Sequence, residues 1–340
     1  GQACTIDDWL AVFQDATGRD LTQFKRWYKQ AGTPRLHVSE DWEDGSYTLH
    51  FHQETPPTPG ETEKLPQVIP VAVGLLGPNG DEVMGTRVLE VTEARQSFRV
   101  RGLSAKPTPS ILRDFSAPVI LKRDTTPEER AFLLAHDTDA FNRWEAGRSL
   151  AKEVLTAMVT GQEPPLALYL DALTQVARDD ALDPAIRALA LTLPGEDDIA
   201  QTLADAGHTP DPDAIHDAAE TLKQEIAEHL QDLLPRLSAE MVVDAPYVPD
   251  HAQSGKRALA LALLRLTTRL DGGAAADAAY GRADNMTLKL GALGCLLDAE
   301  KGEEVIWDFA LDWKDDPLVM DKWFAMQVSH ARPERAAEVA

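Results

Sequence analysis

Nine histidines are the side chains of this 340-residue chain best suited to bind a metal ion or move a proton near neutral pH. None is followed by Glu, so there is no H-E-x-x-H helix placing two imidazoles and a general base around one zinc. His50 and His52 stand two residues apart in an alternating stretch and share one face of an expected strand. Two imidazoles there could pinch a metal, but an exposed polar strand face explains the same spacing. His216 with Glu220, and Glu225 with His229, lie four residues apart on one expected helix, which is also the spacing of a solvated helix face. Cys4 and Cys295 are far apart and read as two reduced thiols of a cytoplasmic protein. There is no G-x-S-x-G elbow and no phosphate-binding Gly loop. The tryptophans at 9, 27, 144, 307, 313 and 323 fall mostly on apolar helical faces, where core packing is the expectation. No catalytic, cofactor-binding or metal-ligating residue is assigned to this chain.

Charge narrows the partners. The net charge is −23, and it is unevenly spread. Before Arg123, 13 Lys and Arg stand against 16 Asp and Glu; from Arg123 onward, 20 stand against 40. Such a surface repels phosphate backbones and anionic lipid, so neither nucleic acid nor membrane is expected as a partner. Solubility is the ordinary explanation of such a charge, and a field that attracts cationic peptides is the functional alternative. No run of eighteen apolar residues could span a bilayer, and no secretory signal is visible. The chain opens Gly1-Gln2 rather than Met, as expected of a processed or cloned piece. Its length predicts two or three domains.

The hydrophobic period changes twice along the chain. Thr5 and Asp8 are in capping-box register for a first helix that ends at Gly18. Asp20 to Ala31 reads as a second helix, with Asp20 as N-cap, Gln23 in box register, and Gly32 and Pro34 as stops. Its Leu21, Phe24, Trp27 and Tyr28 are too many apolar groups for a tether, so Trp27 or Phe24 is expected to pack on a neighbouring module. From Arg35 the period becomes 2. Ser46–Glu54, Val68–Leu76, Val83–Val91, Ser97–Leu103 and one or two segments in Ile111–Leu121 read as strands, with loops at Thr55–Gly60 and Lys106–Pro109. About seven short strands predict an antiparallel, Ig-like β-sandwich. After Lys122 the period returns to 3.6. Thr126-Pro127-Glu128-Glu129 opens a helix, Asp139 opens a long one broken at Gly161–Pro165, and nine further patterns succeed them. These are 166–177, 184–193, 197–206, 212–234, 255–270, 274–280, 285–297, 303–313 and 317–328. A last pattern runs from Arg332 to Ala340. With no fixed repeat, the expectation is an irregular all-α stack.

Five stretches carry a resemblance. D-L-T-Q-F-K-R-W-Y-K-Q-A-G-T-P at 20–34, F-S-A-P-V at 115–119, F-N-R-W-E-A-G-R-S-L at 141–150, N-M-T at 285–287 and L-V-M-D-K-W-F at 318–324 occur in this order. Together they resemble aminopeptidase N, the bacterial-type zinc aminopeptidases of the gluzincin clan. The resemblance implies three segments: the end of a thermolysin-like catalytic domain (1–33), a small β-sandwich (34–122) and part of a helical domain (123–340), the last incomplete. It implies zinc in the full-length parent and peptide substrates shortened from the N-terminus. The family's zinc ligands, its base, its amine-reading loop and its catalytic Tyr would all precede residue 1. The chain is thus expected to be inactive alone and to partner its own missing catalytic domain. The sandwich would act as a spacer and the helices as part of a cover over the cleft. The alternative is a stand-alone protein-binding module with no catalytic context.

Overall fold

A computed structural model describes residues 3–330, so the Arg332–Ala340 pattern lies outside the described residues. The chain divides into two compact units between Gly147 and Arg148.

The first unit opens with α1 (Ile6–Thr17), which has the expected capping box of Thr5 and Asp8 and a left-handed Gly18 at its end. The expected helix from Asp20 to Ala31 does not form as such. Asp20 caps only a turn, accepting from the Thr22 N–H, and one short helix comes after it, α2 (Arg26–Lys29). The reason is tertiary. Gln23 donates to the carbonyls of Pro66 and Thr92, Arg26 to that of Pro66, and Gln30 exchanges bonds with the Leu65 backbone. Trp27 packs on the sandwich core and donates its indole N–H to the Val68 carbonyl at 2.7 Å. Satisfying these backbone groups outweighs the local helical preference.

Seven strands form the sandwich: β1 (Arg35–Glu43), β2 (Ser46–Glu54), β3 (Ile69–Leu76), β4 (Glu82–Val91), β5 (Arg95–Arg101), β6 (Thr108–Ile111) and β7 (Ile120–Lys122). One sheet has the order β5-β2-β1-β7, the other β4-β3-β6. Pairings are antiparallel except β1 with β7, which is parallel. The expected Lys106–Pro109 loop is shorter than read, because Thr108 and Pro109 already belong to β6. Proline is tolerated there because β6 is an edge strand. Alternation sends Tyr47, Leu49 and Phe51 inward to meet Leu36, Val71, Val73 and Leu75 in one core.

Two buried cations tie this core to the helices next to it in the chain. The Arg113 side chain is 3% exposed and lies against Gly74, where any Cβ would overlap the guanidinium. It donates to Ser110 Oγ (2.8 Å), Glu82 (2.5 Å), Thr86 Oγ1 (2.9 Å) and Asp137 Oδ1 (3.2 Å). Asp137 ends α3 (Pro127–His136), and Asp139 starts α4 (Ala140–Thr160), accepting from the N–H groups of Asn142 and Asp114. Beside Arg113 the backbone is left-handed at Leu112, Asp114 and Phe115, a conformation that costs a non-glycine residue about 1–2 kcal/mol. These bonds hold it there. Burial pushes the Asp137 carboxyl above its ordinary range, although the Asp139 N–H, Ser110 and Arg113 oppose this. The second cation, Arg123, bridges Glu40 (2.9 Å) and Glu129 (2.5 Å). Burial alone would raise the Glu40 carboxyl. The Tyr47 hydroxyl, Lys106 and Arg123 prevail and hold it below its ordinary value.

The second unit is helical: α5 (Leu166–Arg178), α6 (Pro184–Ala190), α7 (Glu196–Asp205), α8 (Pro212–Leu230), α9 (Leu234–Glu240), α10 (His251–Asp271), α11 (Ala274–Arg282), α12 (Met286–Asp298), α13 (Glu303–Trp313) and α14 (Pro317–Ser329). Asp183, Asp211, Asp250, Asn285 and Asp316 cap α6, α8, α10, α12 and α14 with their side chains. The expected 212–234 helix is two, because the chain breaks before Pro235 and restarts as α9. α10 is the central helix, packed on α6, α8, α9, α11 and α12 through residues that include Leu259, Leu263 and Leu266.

Removing the guanidinium should leave two carboxylates facing buried space. Arg113→Met is therefore expected to cost about 3–5 kcal/mol in urea unfolding; an unchanged midpoint would contradict the anchoring role. Glu40 has a lowered folded pKa, so its contribution is present above its ordinary value of 4.5 and disappears as pH falls through the folded value. The stability gap between wild type and Glu40→Gln should accordingly be widest near pH 7 and close on acidification, as urea midpoints against pH would show. Trp27→Ala should cost roughly 2–3 kcal/mol. Trp9→Ser, at an exposed position, should stay within about 0.5 kcal/mol. Equal thermal shifts for the two variants would contradict this packing.

Candidate functional site

The structure spends the candidate metal ligands on other bonds. Both ring nitrogens of His50 are taken, Nδ1 by Ser97 Oγ at 2.7 Å and Nε2 by Asp41 at 2.9 Å. His52 faces His37, its cross-strand partner, with ring centroids 5.7 Å apart. His216 bonds Glu196 rather than Glu220, which holds Lys223 and Arg269 instead. His229 lies 3.8 Å from Asp171 rather than on Glu225. Among the described residues, no three His, Cys, Asp or Glu side chains come together as a metal site. Cys4 is exposed and Cys295 buried, with burial pushing the Cys295 thiol up to about 11, where it stays protonated and unreactive.

The stretches that carry the family resemblance do structural work. In 115–119, Ser116 Oγ accepts from the Ala72 N–H and stitches the turn to β3. In 141–150, the Asn142 side-chain amide donates to Ser110 Oγ and the Ile111 carbonyl, and Arg143 donates to the carbonyls of Leu134 and Ala135 at the end of α3. Gly147 is where Leu134 presses on α4, leaving no room for a Cβ. Asn285 caps α12, and Trp323 fills the core beneath α13 while donating to the Ile306 carbonyl. Capping, packing and backbone satisfaction account for the placement of these residues.

What stands out is a surface. α1 buries only Leu10 and exposes Ile6, Trp9, Val12 and Phe13, and Tyr28 adds to the same patch. Trp9 lies 4.5 Å from Phe13 and 6.4 Å from Tyr28, centroid to centroid. Trp9 and Trp307 were expected in a core; they are 47% and 56% exposed, each set edge-on against an aromatic ring of another element, Tyr28 and Trp323, rather than enclosed. A contiguous aromatic face of this kind marks a docking surface rather than a solvated one. The signal was present in the sequence as a helix pair too short to cover its own apolar residues.

Comparison with known proteins places this architecture. A family model described as a domain of unknown function (DUF3458) with an Ig-like fold matches residues 32–124, and one described as DUF3458_C, ARM repeats, matches 127–340. A Caulobacter vibrioides protein named aminopeptidase N is 38% identical over the whole chain, and those of Escherichia coli and Haemophilus influenzae are 34% and 35% identical over 97% and 98% of it. The chain spans about 40% of the length of these relatives. The crystal structure of Legionella pneumophila aminopeptidase A in complex with aspartic acid superposes with a TM-score of 0.83 at 23% identity, over 99% of this chain and 40% of that one, and so shares its fold. No described helix is long and apolar enough to cross a membrane. The chain belongs to the aminopeptidase N family, of whose members it matches the stretch made of the Ig-like DUF3458 domain followed by the DUF3458_C helices.

Proposed function

We propose that this chain is the non-catalytic, C-terminal portion of a cytoplasmic zinc aminopeptidase that removes N-terminal amino acids from peptides. The observation that carries the reading is the match, from end to end of this chain, to proteins named aminopeptidase N. Residues 1–33 close the catalytic domain, 34–122 form a spacer, and 123–340 form part of the cover over the active-site cleft. The exposed face of α1 supports this reading. It is a capped, well-formed helix whose aromatic side needs a partner, and the preceding catalytic polypeptide is the partner proposed. The residues of this chain do not fit a catalytic zinc, since no ligand triad assembles among the described residues, and no step through the metal is assigned to them.

Two preparations test the reading. The 340-residue chain should hydrolyse no aminoacyl amide, and after dialysis should retain far less than one zinc per molecule. The same polypeptide extended upstream should include an H-E-x-x-H helix, bind zinc and show chelator-sensitive hydrolysis. Chelator-sensitive turnover by the chain alone, or an upstream sequence without a zinc motif, would overturn the proposal.

A further inference from the structure

We infer that the second unit holds a binding site for a small apolar carboxylate, in a cavity of about 600 Å³ between α8, α10 and α12. Its floor is apolar: Leu191, Ile226, Ala262 and Leu266 are all buried. Its rim carries three cations, Lys223, Arg265 and Arg269, and two carboxylates, Glu220 and Asp298. The carboxylates are already engaged. Glu220 accepts from Lys223 Nζ at 2.6 Å and from the Arg269 guanidinium at 2.6 Å, so one acid serves two bases. Asp298 is held by His330 Nδ1 at 2.6 Å. Arg265 is left with no carboxylate among the described residues.

This is the reverse of the surrounding charge, since from Arg123 onward acids outnumber bases two to one. An Arg kept without an acid at the mouth of a hollow, in a region rich in acids, is poised for an acid from outside. The spacing supports it. Ala262, Arg265, Leu266 and Arg269 form one stripe of α10, so a ligand whose tail lies on Ala262 and Leu266 brings its carboxylate to Arg265. The cavity is within the size range of small-ligand sites. The chemistry fits an N-acylated aliphatic amino acid or the carboxyl end of a peptide, which share an apolar side chain beside one free carboxylate.

The test is calorimetric titration of the 340-residue chain with N-acetyl-leucine, N-acetyl-leucinamide and a tetrapeptide ending in leucine with a free carboxylate. Saturable binding of the acids is expected, with the amide weaker by roughly tenfold or more. Arg265→Ala should weaken the acids by a similar factor while leaving the melting temperature unchanged, because Arg265 is exposed. Should that variant fold poorly, Arg265→Gln keeps the side-chain length and carries the same expectation. Equal affinity for N-acetyl-leucine and the tetrapeptide would identify a free small acid as the ligand; tighter binding of the tetrapeptide would identify a chain end. Equal binding of acid and amide, no saturable binding of either acid, or affinity unmoved by the Arg265 variants would overturn the inference.

Discussion

The buried guanidinium of Arg113 is the constraint on which the first unit depends. A charge that deep is tolerable only when it is paired and hydrogen-bonded, and its partners come from β4, β6 and the α3–α4 corner. Gly74 must lack a side chain to admit it. The turn around it must take a left-handed path at Leu112, Asp114 and Phe115 to aim it. Asp137 and Asp139 must sit where one helix stops and the next begins. A sandwich and a pair of helices that each have their own apolar pattern thereby become one body. The compact unit ends within α4, at Gly147, although the hydrophobic period changes near Lys122. Arg123, shared by Glu40 and Glu129, repeats the device on the other sheet.

Much of this was legible because local and tertiary preferences agree. Strand β2 begins and ends where alternation places it, since Tyr47, Leu49 and Phe51 can reach the core only in that register. Helices α1, α3 and α14 start at their capping signals because the caps answer local N–H groups. The segment from Asp20 to Ala31 shows where that logic fails. It has a cap, a stop and a helical face, yet Gln23, Arg26, Trp27 and Gln30 each satisfy a distant backbone carbonyl or N–H, and a regular helix would not aim all four. Alternation alone cannot reveal a parallel partner, so the pairing of β7 with β1 was also invisible. The cavity between α8, α10 and α12 could not be read either, because it depends on which of several i,i+4 charges find partners across helices.

The stretches that mark the family hold the fold together. Asn142, Arg143, Gly147, Asn285 and Trp323 are fixed by carbonyls, caps and close contacts. This suits a portion whose proposed task is to position something else, since a spacer and a cover act through rigidity and shape.

In the proposed architecture α1 is the seam to a catalytic portion that precedes it. Amide hydrogen exchange, compared between this chain and the same chain extended upstream, tests it most directly. The account predicts that the interior amides of β2 and β3 are equally protected in both. It predicts that the amides of α1 exchange quickly in the chain alone and slow by at least about tenfold once the upstream portion is attached. Protection of α1 that is identical in the two proteins would contradict the account.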